Sequence, residues 1–151
     1  MKQKTSIIIT LLLVAIATLI GCTSESQPEP ESDLQALTFT LRTNYNEYEN
    51  DDLSIPLLEE IIDSFNPNDW DFLVLEPDET IQDSTFIQVG APDEYFDFQY
   101  TLNIGFGDAE TGYRMYGFYT EDKSYVKQFV IDYWQEHQIP DISSWEDVSP
   151  P

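Results

Sequence analysis

Residues 96–106, FDFQYTLNIGF, carry an apolar side chain at every second position: Phe96, Phe98, Tyr100, Leu102, Ile104 and Phe106. Successive side chains of a strand point to opposite faces, so this alternation predicts a long strand with one face in a core. Asp97, Gln99, Thr101 and Asn103 fall on the other face. The turn GDAETG at 107–112 leads into Tyr113–Tyr119, and the two runs read as an antiparallel hairpin.

Upstream of the hairpin, WDFLVL (70–75) ends at Glu76-Pro77, and Thr85–Val89 ends at Gly90-Ala91-Pro92; both read as strands. Earlier, Leu37, Phe39 and Leu41 alternate with Thr38, Thr40 and Arg42. A helix over 33–48 is the alternative there, and the threonines favour a strand. Asn44–Asp52 is polar and acidic and reads as a loop. Ser54–Phe65 reads as a helix, with Ser54 as N-cap and Pro56 in the first turn. Leu58, Ile61, Ile62 and Phe65 share one face, Glu59, Glu60 and Asp63 take the other, and Asn66-Pro67-Asn68 ends the helix. Downstream, a second helix is expected from Asp122 to His137, capped by Thr120 or Asp122. Its buried stripe is Val126, Phe129, Val130 and Tyr133, flanked by Tyr125 and Trp134, and Ile139-Pro140 stops it. Residues 141–151 form a tail whose Ile142 and Trp145 can pack back. The expected fold is therefore α+β, an antiparallel sheet of four to five strands with helices on one face, spanning 33–140.

The amino terminus has a different character. Lys2 and Lys4 precede an almost wholly apolar run from Ser6 to Ile20, shorter than the roughly 20 residues a spanning helix prefers. The run ends in Leu19-Ile20-Gly21-Cys22, which resembles the lipobox of bacterial lipoproteins. The resemblance implies that residues 1–21 are a signal peptide, that the Cys22 thiol receives a diacylglyceryl group, and that cleavage falls before Cys22. Cys22, the only cysteine, then becomes a lipid anchor in a cell membrane or outer membrane, with the domain outside the cytoplasm. Two or more acyl chains hold a protein stably, at about 0.8 kcal/mol per buried methylene. TSESQPEPES at 23–32 has no large apolar side chain and reads as a tether that can reach about 30 Å.

Composition closes off several functions. The 151 residues contain 29 Asp and Glu against 6 Lys and Arg, a formal charge of −23, so nucleic acid is an improbable partner and a basic protein a natural one. Loss of the two signal-peptide lysines makes the mature chain more negative still. At 14% aromatic the chain is not a disordered acidic tail. A single cysteine precludes a disulfide framework and a Cys-based zinc cluster. His137, the only histidine, lies in the last turn of the second helix, where a cation meets the helix dipole favourably. No serine stands in a G-x-S-x-G elbow, and Gly105-Phe106-Gly107 lacks the third glycine of a nucleotide loop. The chain is expected to be neither an enzyme nor a cofactor binder. Asn66, Asn68, Asp69 and Asp71 are the weak candidates for calcium, with Asn50, Asp51 and Asp52 behind them. Neither group matches the twelve-residue calcium loop, so both read first as turns.

The aromatic hairpin offers contact surface instead. Consecutive strand residues cannot all be covered from one side, so Tyr95 and Tyr116 are the candidates for partner contact. Arg42 and Arg114 are expected to pair with acids. The order FLVLE (72–76), FIQV (86–89), aromatic hairpin, Val126/Phe129/Tyr133/Trp134 and late Trp145 is similar to small immunity-type proteins found with bacterial toxins. That resemblance implies neutralisation of a basic secreted toxin. The alternatives are an envelope structural or accessory lipoprotein with a salt-adapted surface and, third, a hydrolase built on a carboxylate pair.

Overall fold

The computed structural model describes residues 36–67, 69–107 and 112–150. Its strands are β1 (Phe39–Thr43), β2 (Glu47–Tyr48), β3 (Phe72–Pro77), β4 (Ser84–Asp93), β5 (Gln99–Phe106), β6 (Arg114–Thr120) and β7 (Glu146–Asp147). They form one sheet in the order β2-β1-β3-β4-β5-β6-β7, every neighbouring pair antiparallel. The sheet thus has seven strands where four to five were expected. The two extra strands are two-residue edges: β2 lies in the acidic stretch read as a loop, and β7 lies in the tail. Neither is long enough to show a period-two signal.

Helix α1 (Ile55–Ser64) begins as its sequence dictates, with the Ser54 hydroxyl accepting the Leu57 N–H at 3.3 Å. Helix α2 (Lys123–Ile131) is capped by Asp122, which accepts from the N–H groups of Ser124 and Tyr125, and a wider turn over Asp132–Glu136 prolongs it. Leu58 and Ile62 of α1 and Val126, Phe129, Val130 and Tyr133 of α2 share one core with alternate strand residues. Those strand residues are Leu41, Leu73, Leu75, Ile87, Val89, Leu102 and Ile104, all without solvent exposure. Each such aliphatic side chain contributes roughly 1.5–3 kcal/mol on burial. Trp145 closes the core beside β6, its ring 5.5 Å from Phe118 and 5.9 Å from Phe129.

The stretch at 96–106 folds as a strand only from Gln99. Asp93 accepts the Tyr95 N–H and starts a tight turn over Glu94–Phe96, and Asp97 and Phe98 then adopt positive φ. The local cap overrides the alternation, so Phe96 and Phe98 leave the core face and Phe98 is 58% exposed. Strand β3 ends at Pro77, as expected, whereas β4 runs on through Gly90-Ala91-Pro92 to Asp93. Pro92 lies in a bulge between Gly90 and Asp93, where a missing N–H costs no ladder bond.

Among the described residues no helix covers the opposite sheet face, to which the alternate strand residues belong. Cross-strand register lays two rows over it: Phe72, Gly90, Thr101, Tyr119 and, beside them, Arg42, Val74, Gln88, Asn103, Gly117, Glu146.

Candidate functional site

The helix-free face is hollowed at one end into a cavity of about 320 Å³. Its floor comes from the polar-facing positions of the central strands, Gln88, Thr101 and Asn103. A Cβ at Gly90 would lie 2.4 Å from the Thr101 hydroxyl, so that hydroxyl occupies the space. Next to the cavity the Phe86 ring lies over Gly105, 2.0 Å from where its Cβ would be. Phe72, Phe96 and Tyr119 wall the cavity, with Phe96 and Tyr119 stacked at 5.5 Å, and Val148 reaches in from the tail.

Two loops make the rim. The loop before β3 carries Trp70 at φ 56° and the loop before β5 carries Asp97 and Phe98 at 51° and 60°. A bulky side chain in the left-handed region costs of order 1–3 kcal/mol and persists only where its surroundings fix it. They do so here. Asn44 donates to the Trp70 carbonyl at 3.1 Å and accepts the Phe72 N–H at 2.9 Å. The Asp71 carboxylate accepts the Asn66 N–H at 2.9 Å, and its carbonyl accepts the Ala91 N–H at 2.7 Å. The Asp93 carboxylate accepts the Tyr95 N–H and its carbonyl the Phe98 N–H, each at 2.8 Å. The rings so presented are exposed, Trp70 at 63% and Tyr95 at 74%, with centroids 5.9 Å apart.

Asp69, Asp71, Glu94 and Asp97 belong to these two loops and Asp93 ends β4 beside them, and none has an ion-pair partner among the described residues. The cations are tied up elsewhere. Arg42 holds Glu76 at 2.6 Å, as the sequence led one to expect, and Lys127 and Lys123 hold Asp63 at 2.8 and 3.4 Å. Lys127 and then Lys123 draw the Asp63 carboxyl below its ordinary range. Arg114 faces Asp147, whose carboxyl is lowered first by the Ser149 hydroxyl and also by that guanidinium.

The sequence candidates separate. Tyr95 is on the rim. Tyr116 is on the helix-covered face, half-buried and edge-on to Phe106 at 5.8 Å, so it adds nothing to this site. Asn66, Asp69 and Asp71 close a turn in which the Asn66 side-chain amide donates to Asp69 and its N–H to Asp71. Asn68 and Cys22 lie outside the described residues. Among the described residues no three His, Cys, Asp or Glu side chains converge on a metal position. His137 ends the wider turn after α2 at φ 51°, its ring 5.9 Å from that of Phe39. Trp70, Phe72, Asp93, Phe96 and Tyr119 were missed as site residues. Their only signal was acid next to aromatic at 69–72 and 93–98, and the register that unites them spans four strands. Comparison with protein-family models, with curated proteins and with solved structures found no match to this chain.

Proposed function

We propose that this chain is a bacterial lipoprotein, anchored through Cys22, whose acidic α+β domain is a non-catalytic module that binds a basic protein. The specific form we favour is an immunity protein that neutralises a basic toxin at the outer face of the membrane. The observation that carries the binding reading is the helix-free face, where exposed aromatic rings and unpaired carboxylates share one rim. Aromatics of this kind make most of the energy at interfaces, and negative potential speeds encounter with a cationic partner. Among the described residues, the carboxyls of Asp63, Asp78, Asp141 and Asp147 are drawn below their ordinary range, and none of these four borders the cavity. A hydrolase would instead use a carboxyl raised by its cleft.

A second reading, a salt-adapted envelope factor, draws on the acids far from the rim. Glu59 and Glu60 on α1, Asp78, Glu79 and Asp83 before β4, and Glu121, Glu136 and Asp141 around α2 spread the charge widely. The readings part on one assay. The full chain in its membrane, presented with basic envelope or secreted proteins, is expected to retain a partner in low salt and release it in high salt. Retention of none would leave the structural reading. For the anchor, Cys22→Ala is expected to abolish incorporation of labelled palmitate, and undiminished labelling would overturn it.

A further inference from the structure

We infer that the cavity on the helix-free face is a receptor for one arginine side chain of the basic partner. This rests on the reading of the partner as a basic protein and names the group that it inserts.

The lining has what a guanidinium requires. That group is flat, carries five N–H donors and no acceptor, and is weakly enough hydrated to leave water for an aromatic surface. Phe72, Phe96 and Tyr119 offer aromatic surface inside the cavity and Trp70 at its mouth. Rings in such positions attract a cation through their π faces. The acceptors are the carboxylates of Asp71 and Asp93 and the side-chain oxygens of Gln88, Asn103 and Thr101, from three different segments. Asp93 is itself 5% exposed, so its charge acts across little water.

The lining contains no cation to compete, since Arg42, Arg114, Lys123 and Lys127 all face carboxylates elsewhere. At about 320 Å³ the cavity is far larger than a bare ion needs and admits a guanidinium with its methylene stem. An apolar side chain would bury the acceptors unpaired, which costs more than the burial returns. A lysine ammonium would satisfy a carboxylate but use the flat rings poorly, because it is compact and strongly hydrated. Around the mouth, Asp69, Glu94 and Asp97 meet the basic surroundings of the inserted residue.

The test is calorimetric titration of the full chain, in detergent at about 10 mM salt where screening is weak. The titrants are hexa-arginine and hexa-lysine peptides, with free arginine and spermidine as small-molecule arms. The arginine peptide is expected to bind about fivefold more tightly than the lysine peptide, since only the guanidinium stacks. The Asp71→Asn/Asp93→Asn double variant keeps an oxygen to accept the Asn66 and Tyr95 N–H groups, so it should fold. It is expected to bind the arginine peptide about tenfold more weakly, the scale of a desolvated charge contact. Trp70→Ala, at an exposed position, removes a rim ring without touching the core and is expected to weaken binding about threefold. Glu59→Gln/Glu60→Gln removes the same charge from the outer side of α1 and should change binding less than about twofold.

Equal binding of both peptides, with equal losses in the two double variants, would overturn the arginine receptor and leave the basic-partner reading standing. Failure of both peptides to bind would remove the basic-partner reading as well. Free arginine or spermidine binding as tightly as the peptide would show a small-molecule receptor and overturn the inference.

Discussion

Phe98 is an aromatic residue at φ 60°, a conformation that only glycine adopts without strain, and its ring is mostly in water. Nothing in the core requires it there. Phe98→Gly is therefore expected to raise stability in denaturant melts by about 0.5–1 kcal/mol, after the extra unfolded-state entropy of glycine is deducted. A loss of stability would mean that the ring contributes to packing after all. Buried Tyr133 makes the opposite case. The Ser84 hydroxyl spends its one hydrogen on the Ile81 carbonyl at 2.5 Å, so the Tyr133 hydroxyl is the donor in its 3.1 Å bond to Ser84. Burial pushes that phenol up to about 12 from its ordinary 10. Its neutral form is the one the fold favours, so this contribution is complete below pH 10 and is lost as the pH rises from 10 to 12. Tyr133→Phe is expected to cost about 1 kcal/mol at neutral pH and to flatten the alkaline fall in stability. An unchanged alkaline limb would count against the assignment.

At the scale of elements, what could be read in the sequence was what repeats. Leu58, Ile61, Ile62 and Phe65 gave α1 by spacing and Ser54 gave its start, because helix period and cap are both local. The hairpin of β5 and β6 was legible for the same reason. Illegible were the turn at Glu94–Phe96, where a capping aspartate outcompetes the strand pattern, and the two-residue edges β2 and β7, which exist only because β1 and β6 offer unpaired backbone. Of the candidate site, Tyr95 and the acids Asp69 and Asp71 were legible, the acids only as weak calcium candidates, while Trp70, Asp93 and Tyr119 come together through register between distant strands. The tail illustrates the energetic side. Trp145 was readable as a residue able to pack back, and it does so between Phe118 and Phe129. Trp145→Ala is expected to destabilise by about 3–5 kcal/mol. A loss under 1 kcal/mol would show that the tail is an appendage.

Over the whole molecule, carboxylates outnumber cations so far that electrostatics bears on solubility and binding more than on fold. The four lowered carboxyls, Asp63, Asp78, Asp141 and Asp147, have a definite linkage sign. Depressed in the folded chain, they contribute stability that is present above their ordinary value of 3.8 and is lost as the pH falls through the lower folded values. Thermal melts are expected to hold their midpoint down to about pH 5 and fall below pH 4. A midpoint that rises on going below pH 4 would mean that relief of charge repulsion outweighs these bonds. The proposed attachment through lipid at Cys22 would leave the acidic surface for the partner.

The central claim is that one face of the sheet meets a basic protein, and backbone amide NMR of the full chain in detergent reads it directly. On addition of hexa-arginine peptide in low salt, shifts are expected at 69–72, 88–98, 101–103 and 119, reversing when salt is raised. Shifts spread evenly over the acids of α1, α2 and the outer loops, or no shifts at all, would contradict the account.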